Sequence, residues 1–299
     1  MESKNYLSPK EIAEFTVESG IKKTLLTPLK MIILGFLAGA FIAFAAEGSN
    51  MAAFGLWANP STYGLGKALA GAIFGTGLML VIIAGGELFT GNTLIVMAVL
   101  QKKAKLSGML KNWFYVYLGN FIGSIFISYM IVNSGQLNAS HALLAVTTIK
   151  IASYKVSLSF SHAFFLGLMC NWLVCLAVWM AYGAKDMVGK IMAIFFPIWL
   201  FITSGFEHSV ANMYYISAGI LAKGNPVYLE AAKNAGVSIE KLNSLNWTTF
   251  VTKNLVPVTI GNIVGGGLLV AGVYWFVYLK KDEKNDIKSE NISRIKKSV

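Results

Sequence analysis

The chain carries little charge for its length. Of its 299 residues, 13% are Asp, Glu, Lys or Arg, about half the roughly 25% found in water-soluble domains. Too few solvated side chains remain to coat a soluble surface, which excludes an aqueous globular protein. Cysteine is scarcer still: Cys170 and Cys175 share one apolar segment. That excludes a disulfide scaffold, and with no metal-ligand spacing between them both read as packing residues. Acidic residues are the rarer sign, 14 against 25 Lys and Arg, for a formal net charge of +11. Such a balance can mark nucleic-acid binding. Here, however, the basic residues gather at the chain ends and in loops, the pattern of membrane orientation, so no nucleic-acid partner is expected. The first apolar run follows a charged stretch and lacks a small-residue cleavage site, so no signal peptide is expected either.

What is abundant is apolar: 56% of residues, with a mean hydropathy of +0.61. A bilayer-spanning helix needs about 20 mostly apolar residues. Candidate spans lie at 28–47, 67–101, 110–133, 155–183, 190–222 and 249–279. The predicted fold is an all-α membrane protein of six spans. It has an N-terminal interfacial helix (1–27), a six-span transmembrane domain (28–279) and a basic tail (280–299). In the N-terminal stretch, Ser8 serves as N-cap, Pro9 opens the first turn and Glu11 completes a capping box. Ile12, Phe15 and Ile21 supply its apolar face, and the helix reads as an anchor. The connections 101–111 and 184–190 are basic while 48–66, 134–154 and 223–248 are poor in lysine. Six spans then place both termini in the cytoplasm.

The second and fifth spans are too long for one straight helix, and each is interrupted by polar text, GGELFTGN (85–92) and SGFEHSVAN (204–212). Irregular backbone at membrane depth is tolerated only where it packs on protein or lines a cavity. LGNFIGS (118–124) recurs as IGNIVGG (260–266), and the two interruptions resemble one another. The halves therefore read as an inverted repeat of three spans each, with broken helices meeting at the midplane. Each new half-helix would present free N–H groups and roughly half a positive charge, which favours an anion. Thr90 and Asn92 are candidate caps for the first, Ser209 and Asn212 for the second. His208 lies in an interruption within a membrane, where an ionisable group is a functional candidate by default. Glu87 and Glu207 hold matching places and would oppose an anion, so they are expected to turn away onto neighbouring backbone. Lys155, at the outer end of the fourth span, reads equally as a snorkelling lysine or an anion collector. Asn171 and Asn262 are polar within apolar spans.

Through IIAGGELFTG (82–91), GLMCNWLVCLA (167–177), SGFEHSVANM (204–213) and VPVTIGNIVGGG (256–267), the sequence resembles the formate/nitrite transporter family across all six spans. The resemblance implies a homopentamer of aquaporin-like protomers in a bacterial plasma membrane, each with its own pore. It implies passage of a small weak-acid anion, formate first, with nitrite, hydrosulfide, lactate or acetate as alternatives, and neither cofactor nor metal. Position by position, His208 matches the central pore histidine and Thr90 the threonine that hydrogen-bonds it. Lys155 matches a vestibule lysine, and Asn171 and Asn262 the polar residues near the centre. Phe74 and Phe201 match an outer constriction, Leu78 and Leu88 an inner one. A water or glycerol pore is the rival reading, but neither interruption contains Asn-Pro-Ala. An intramembrane enzyme would need a nucleophile or metal cluster that the sequence does not offer.

Overall fold

The computed structural model of the chain describes residues 6–280; apart from Lys280, the basic tail read at 280–299 lies outside them. The described residues form α1 (Pro9–Leu25), α2 (Pro28–Trp57), α3 (Pro60–Gly85), α4 (Phe89–Leu100), α5 (Leu106–Asn133) and α6 (Ala139–Ser157). These are followed by α7 (Phe160–Gly183), α8 (Met187–Thr203), α9 (Ser209–Lys223), α10 (Pro226–Asn234), α11 (Ile239–Ser244) and α12 (Trp247–Tyr278). Helices α2, α3, α5, α7 and α12 are each long and apolar enough to cross a bilayer; α4 and α8 are shorter and also apolar.

Several expected boundaries move. The first span does not stop at residue 47 but runs to Trp57, because Glu47, Ser49 and Asn50 are buried against neighbouring helices rather than solvated. Ser49, for instance, donates to the Ala70 carbonyl at 2.9 Å. The fourth span begins at Phe160, where Ser159 accepts from His162 N at 3.2 Å. Lys155 belongs instead to α6, an element hidden in what read as a connection, as are α10 and α11. The capping box of α1 forms as the sequence dictates, but its packed face is Ile12, Ala13, Thr16, Val17, Gly20 and Thr24. Phe15 is 42% exposed. Its ring meets Tyr182 of α7 edge-on at 5.0 Å, while the closest approach is made by small residues: a Cβ added to Gly20 would stand 3.0 Å from the Ala98 side chain in α4.

Inside the apolar stretches 67–101 and 190–222 the backbone leaves helix once each, between Gly85 and Phe89 and between Thr203 and Ser209. Each departure turns on a glycine in left-handed backbone, Gly85 at φ +98° and Gly205 at φ +74°, a conformation that costs glycine nothing. The repeated text marks close helix crossings. A Cβ on Gly123 in α5 would fall 2.1 Å from the Phe36 carbonyl oxygen of α2, and one on Gly265 in α12 would fall 2.1 Å from that of Leu168 in α7. Small residues let apolar helices approach to backbone contact. Outward, Leu118, Phe126, Phe165 and Leu268 are exposed, a surface suited to lipid or a second copy.

Candidate functional site

A cavity of about 630 Å³ is lined by Tyr63 and Tyr154, both exposed, and by Phe201 and His208, both buried. Phe201 meets Phe74 edge-to-face, with ring centroids 5.7 Å apart at 85°. Its other neighbour is the His208 imidazole at 6.1 Å. His208 precedes α9 in extended backbone, and its Nδ1 accepts from Ala211 N at 3.0 Å. While that bond holds, the single proton of a neutral ring sits on Nε2. Nε2 in turn lies 2.8 Å from Thr90 Oγ1, so the first turns of α4 and α9 touch through this polar pair.

The two carboxylates of the interruptions do not bind neighbouring backbone as expected; they bind side chains. Glu87 takes Lys23 Nζ on Oε1 at 2.7 Å and Asn92 Nδ2 on Oε2 at 2.6 Å. Glu207 takes Lys155 Nζ on Oε1 at 2.7 Å and Asn212 Nδ2 on Oε2 at 2.6 Å. Asn92 Nδ2 also reaches Asn112 Oδ1, and Asn212 Nδ2 reaches Asn254 Oδ1, at 2.8 and 2.7 Å. A buried carboxylate needs both a cation and hydrogen bonds to offset its lost hydration, and each half supplies the same set. Lys155 lines the cavity, but Glu207 offsets its charge.

Asn92 and Asn212 are thus engaged by the carboxylates and do not cap the half-helices. The caps come from elsewhere. Asn120 in α5 accepts from Phe89 N at 2.9 Å and donates to the Gly35 and Glu87 carbonyls. Asn262 in α12 accepts from Ser209 N at 2.9 Å and donates to the Gly167 and Glu207 carbonyls. Ser209 contributes its backbone alone; its buried hydroxyl has no partner among the described residues. Asn171 donates to the Thr90 carbonyl, to Thr93 Oγ1 and to the Asn262 carbonyl at 2.7–3.2 Å. It ties the first half-helix to α7 and α12. Leu78 and Leu88 are buried beside the first interruption.

Sequence reasoning missed Lys23, Asn112, Asn120 and Asn254. A signal existed: the offset that carries LGNFIGS onto IGNIVGG also carries Asn112 onto Asn254 and Asn120 onto Asn262. Lys23 was hidden because α1 and α6, which deliver the two lysines, share little else in sequence.

Long apolar helices, two interrupted ones joined at a polar contact and a cavity lined in part by a buried imidazole define a membrane-spanning transport protein. The sequence profile described as formate/nitrite transporter matches residues 10–276. The chain is 40% identical over 266 residues to a probable formate transporter of Methanothermobacter thermautotrophicus, covering 84% of this chain and 90% of the relative. It is 36% identical over 279 residues to the formate channel FocA of Escherichia coli K12, covering 93% and 96% respectively. A solved structure described as a pentameric formate channel with formate bound superposes with a TM-score of 0.75 at 38% identity, covering 85% of this chain and 98% of the other. The protein belongs to the formate/nitrite transporter family, a family of transporters and not of enzymes.

Proposed function

We propose that the protein conducts a small monovalent weak-acid anion, formate first, through a pore in each protomer of a homopentamer. The observation that carries this reading is the buried Thr90–His208 contact, whose imidazole lines the cavity and lies 6.1 Å from the Phe201 ring of the Phe74–Phe201 pair. Relatives named for formate support the substrate; nitrite, hydrosulfide and lactate or acetate share its weak-acid chemistry and are the alternatives. In this reading Phe74 and Phe201 form the outer constriction and Leu78 and Leu88 the inner one. Thr90 and His208 face the substrate between them, Asn171 and Asn262 hold the half-helices in place, and Lys155 with Glu207 sits in the outer vestibule. The basic connections put both termini in the cytoplasm of a bacterial plasma membrane.

The energetics favour passage as a neutral acid. An idealised Born estimate for moving a bare carboxylate into low dielectric is on the order of 20 kcal/mol, and several kcal/mol persist in real proteins. Protonation costs about 1.36 kcal/mol for each unit between pKa and ambient pH, or roughly 4 kcal/mol at pH 7 for an acid with pKa near ~4. Two apolar rings therefore select protonation over bare transfer. Desolvation at Phe74 and Phe201 raises the anion's own proton affinity. With Nδ1 occupied by Ala211 N–H, the ring offers one proton on Nε2. It orients and hydrogen-bonds the acid there, while the neutralising proton arrives from bulk solvent by way of cavity water, so no hydroxide is left at the constriction.

Flux in proteoliposomes tests this. Formate should pass far faster than chloride or nitrate, which cannot be usefully protonated; equal conductance rejects the proton step. His208→Phe should lower formate uptake by about tenfold, the scale of losing the one hydrogen bond that orients the acid (~1.4 kcal/mol). Unchanged uptake with unchanged pH dependence removes the histidine from the mechanism.

A further inference from the structure

Three lysines line the large cavity, Lys67, Lys150 and Lys155, and their electrostatic situations differ. Lys150 is exposed and solvated. Lys155 is bound to Glu207 at 2.7 Å, so the pair presents a dipole to the cavity rather than a net charge. Lys67 in α3 is half-buried and, among the described residues, has no carboxylate within ion-pairing distance and no hydrogen-bond partner. Two aromatic rings hold it instead. Its Nζ lies 5.9 Å from the Trp57 ring centroid and 5.8 Å from that of Tyr63. A cation–π contact attracts an ammonium through the ring quadrupole but does not cancel its charge. The rings fix the position of Lys67 and leave its full charge facing the cavity.

That position is at the second interruption. Lys67 Nζ stands 3.7 Å from where a Cβ on Gly205 would be, beside the segment that leads through Glu207 to His208. Glu207, the nearest acidic residue in sequence to this turn, is already engaged by Lys155, Asn212 and Asn254.

We propose that Lys67, held between Trp57 and Tyr63, is the ammonium that receives the anion in the cavity before it meets Phe201 and His208, and that it sets apparent affinity. The inference rests on the anion-conducting reading above and assigns a specificity-determining role to a residue outside the constrictions. A cleft lined by one sign of charge concentrates its counter-ion, raising encounter rates by about tenfold or more, in a salt-dependent way.

The test is initial-rate formate uptake against concentration for the wild type, Lys67→Met and Lys67→Arg in proteoliposomes at two ionic strengths. Lys67→Met should raise KM about tenfold with a maximal rate within about twofold, and should weaken the salt dependence. Lys67→Arg should restore both, since it keeps the charge. Wild-type KM and salt dependence in Lys67→Met, or equal effects of Met and Arg, overturn the proposal. Should Lys67→Met fail to assemble, lysine acylation of the wild type read by mass spectrometry decides the question. Formate should protect Lys67 but not Lys233, which lies outside the cavity, and absence of protection at Lys67 overturns the proposal. A wild type that moves no formate defeats the functional reading itself, whereas normal wild-type uptake with an indifferent Lys67→Met defeats this inference alone.

Discussion

Glu47 lies in α2 at 3% exposure, and the Tyr214 hydroxyl of α9 donates to its Oε2 at 2.5 Å. Among the described residues, no hydrogen bond of ordinary geometry reaches its Oε1 or either polar atom of Asn50. The Glu47–Tyr214 bond joins the first half of the chain to the second. Tyr214→Phe should destabilise the protein by about 1–3 kcal/mol, the cost of a buried acceptor left without its donor. Thermal unfolding in detergent would show it. The double variant Glu47→Leu/Tyr214→Phe should lose less than the sum of the two single variants, because removing both partners leaves no orphan. An additive result means the two groups are not coupled. At this scale, His208, Glu87 and Glu207 could be picked out in the sequence, because charge is conspicuous in apolar text. Their partners could not. The Lys23–Glu87 ion pair spans a long stretch of chain, and neither hydropathy nor local spacing encodes such a contact. Glu47 was masked differently: a carboxylate at the edge of an apolar run reads as the end of a span.

Among the helices, the crossings of α2 with α5 and of α7 with α12 are set by glycine. Gly123→Ala and Gly265→Ala would each drive a methyl group to 2.1 Å from a carbonyl oxygen. Each should cost about 1–3 kcal/mol or more through overpacking, seen as a lower melting temperature or loss of assembled protein. Gly55→Ala, with nothing within 4 Å, should be tolerated. Equal tolerance at all three positions would show that the crossings can relax. These crossings were legible, since LGNFIGS and IGNIVGG announce them. The correspondence of α1 with α6 was not. It appears only in what the two helices do: each presses a small-residue contact onto a half-helix, Gly20 on Ala98 and Ala152 on Gly219, and each delivers a lysine to the carboxylate of its own interruption.

For the molecule as a whole, the duplicated networks predict paired consequences. Lys155→Met strands a carboxylate that is 2% exposed and should cost about 3–5 kcal/mol. Lys23→Met should cost somewhat less, because its pair is more open, at 21% and 10% side-chain exposure. Adding Glu207→Gln to Lys155→Met should recover part of the loss, measured as melting temperature in detergent. No recovery would mean that the lysine acts through something other than the ion pair.

Asn120 ties α2, the first interruption and α5 together; Asn262 does the same for α7, the second interruption and α12. Neither asparagine side chain reaches across to the other half. The contact between the halves is therefore a joint between two prefabricated pieces, each pegged to itself. On the proposed pore assignment, exchanging Phe74, Leu78, Leu88 or Phe201 for residues of other sizes would rebore that joint and leave both pegs seated, so one frame would serve guests of different girth.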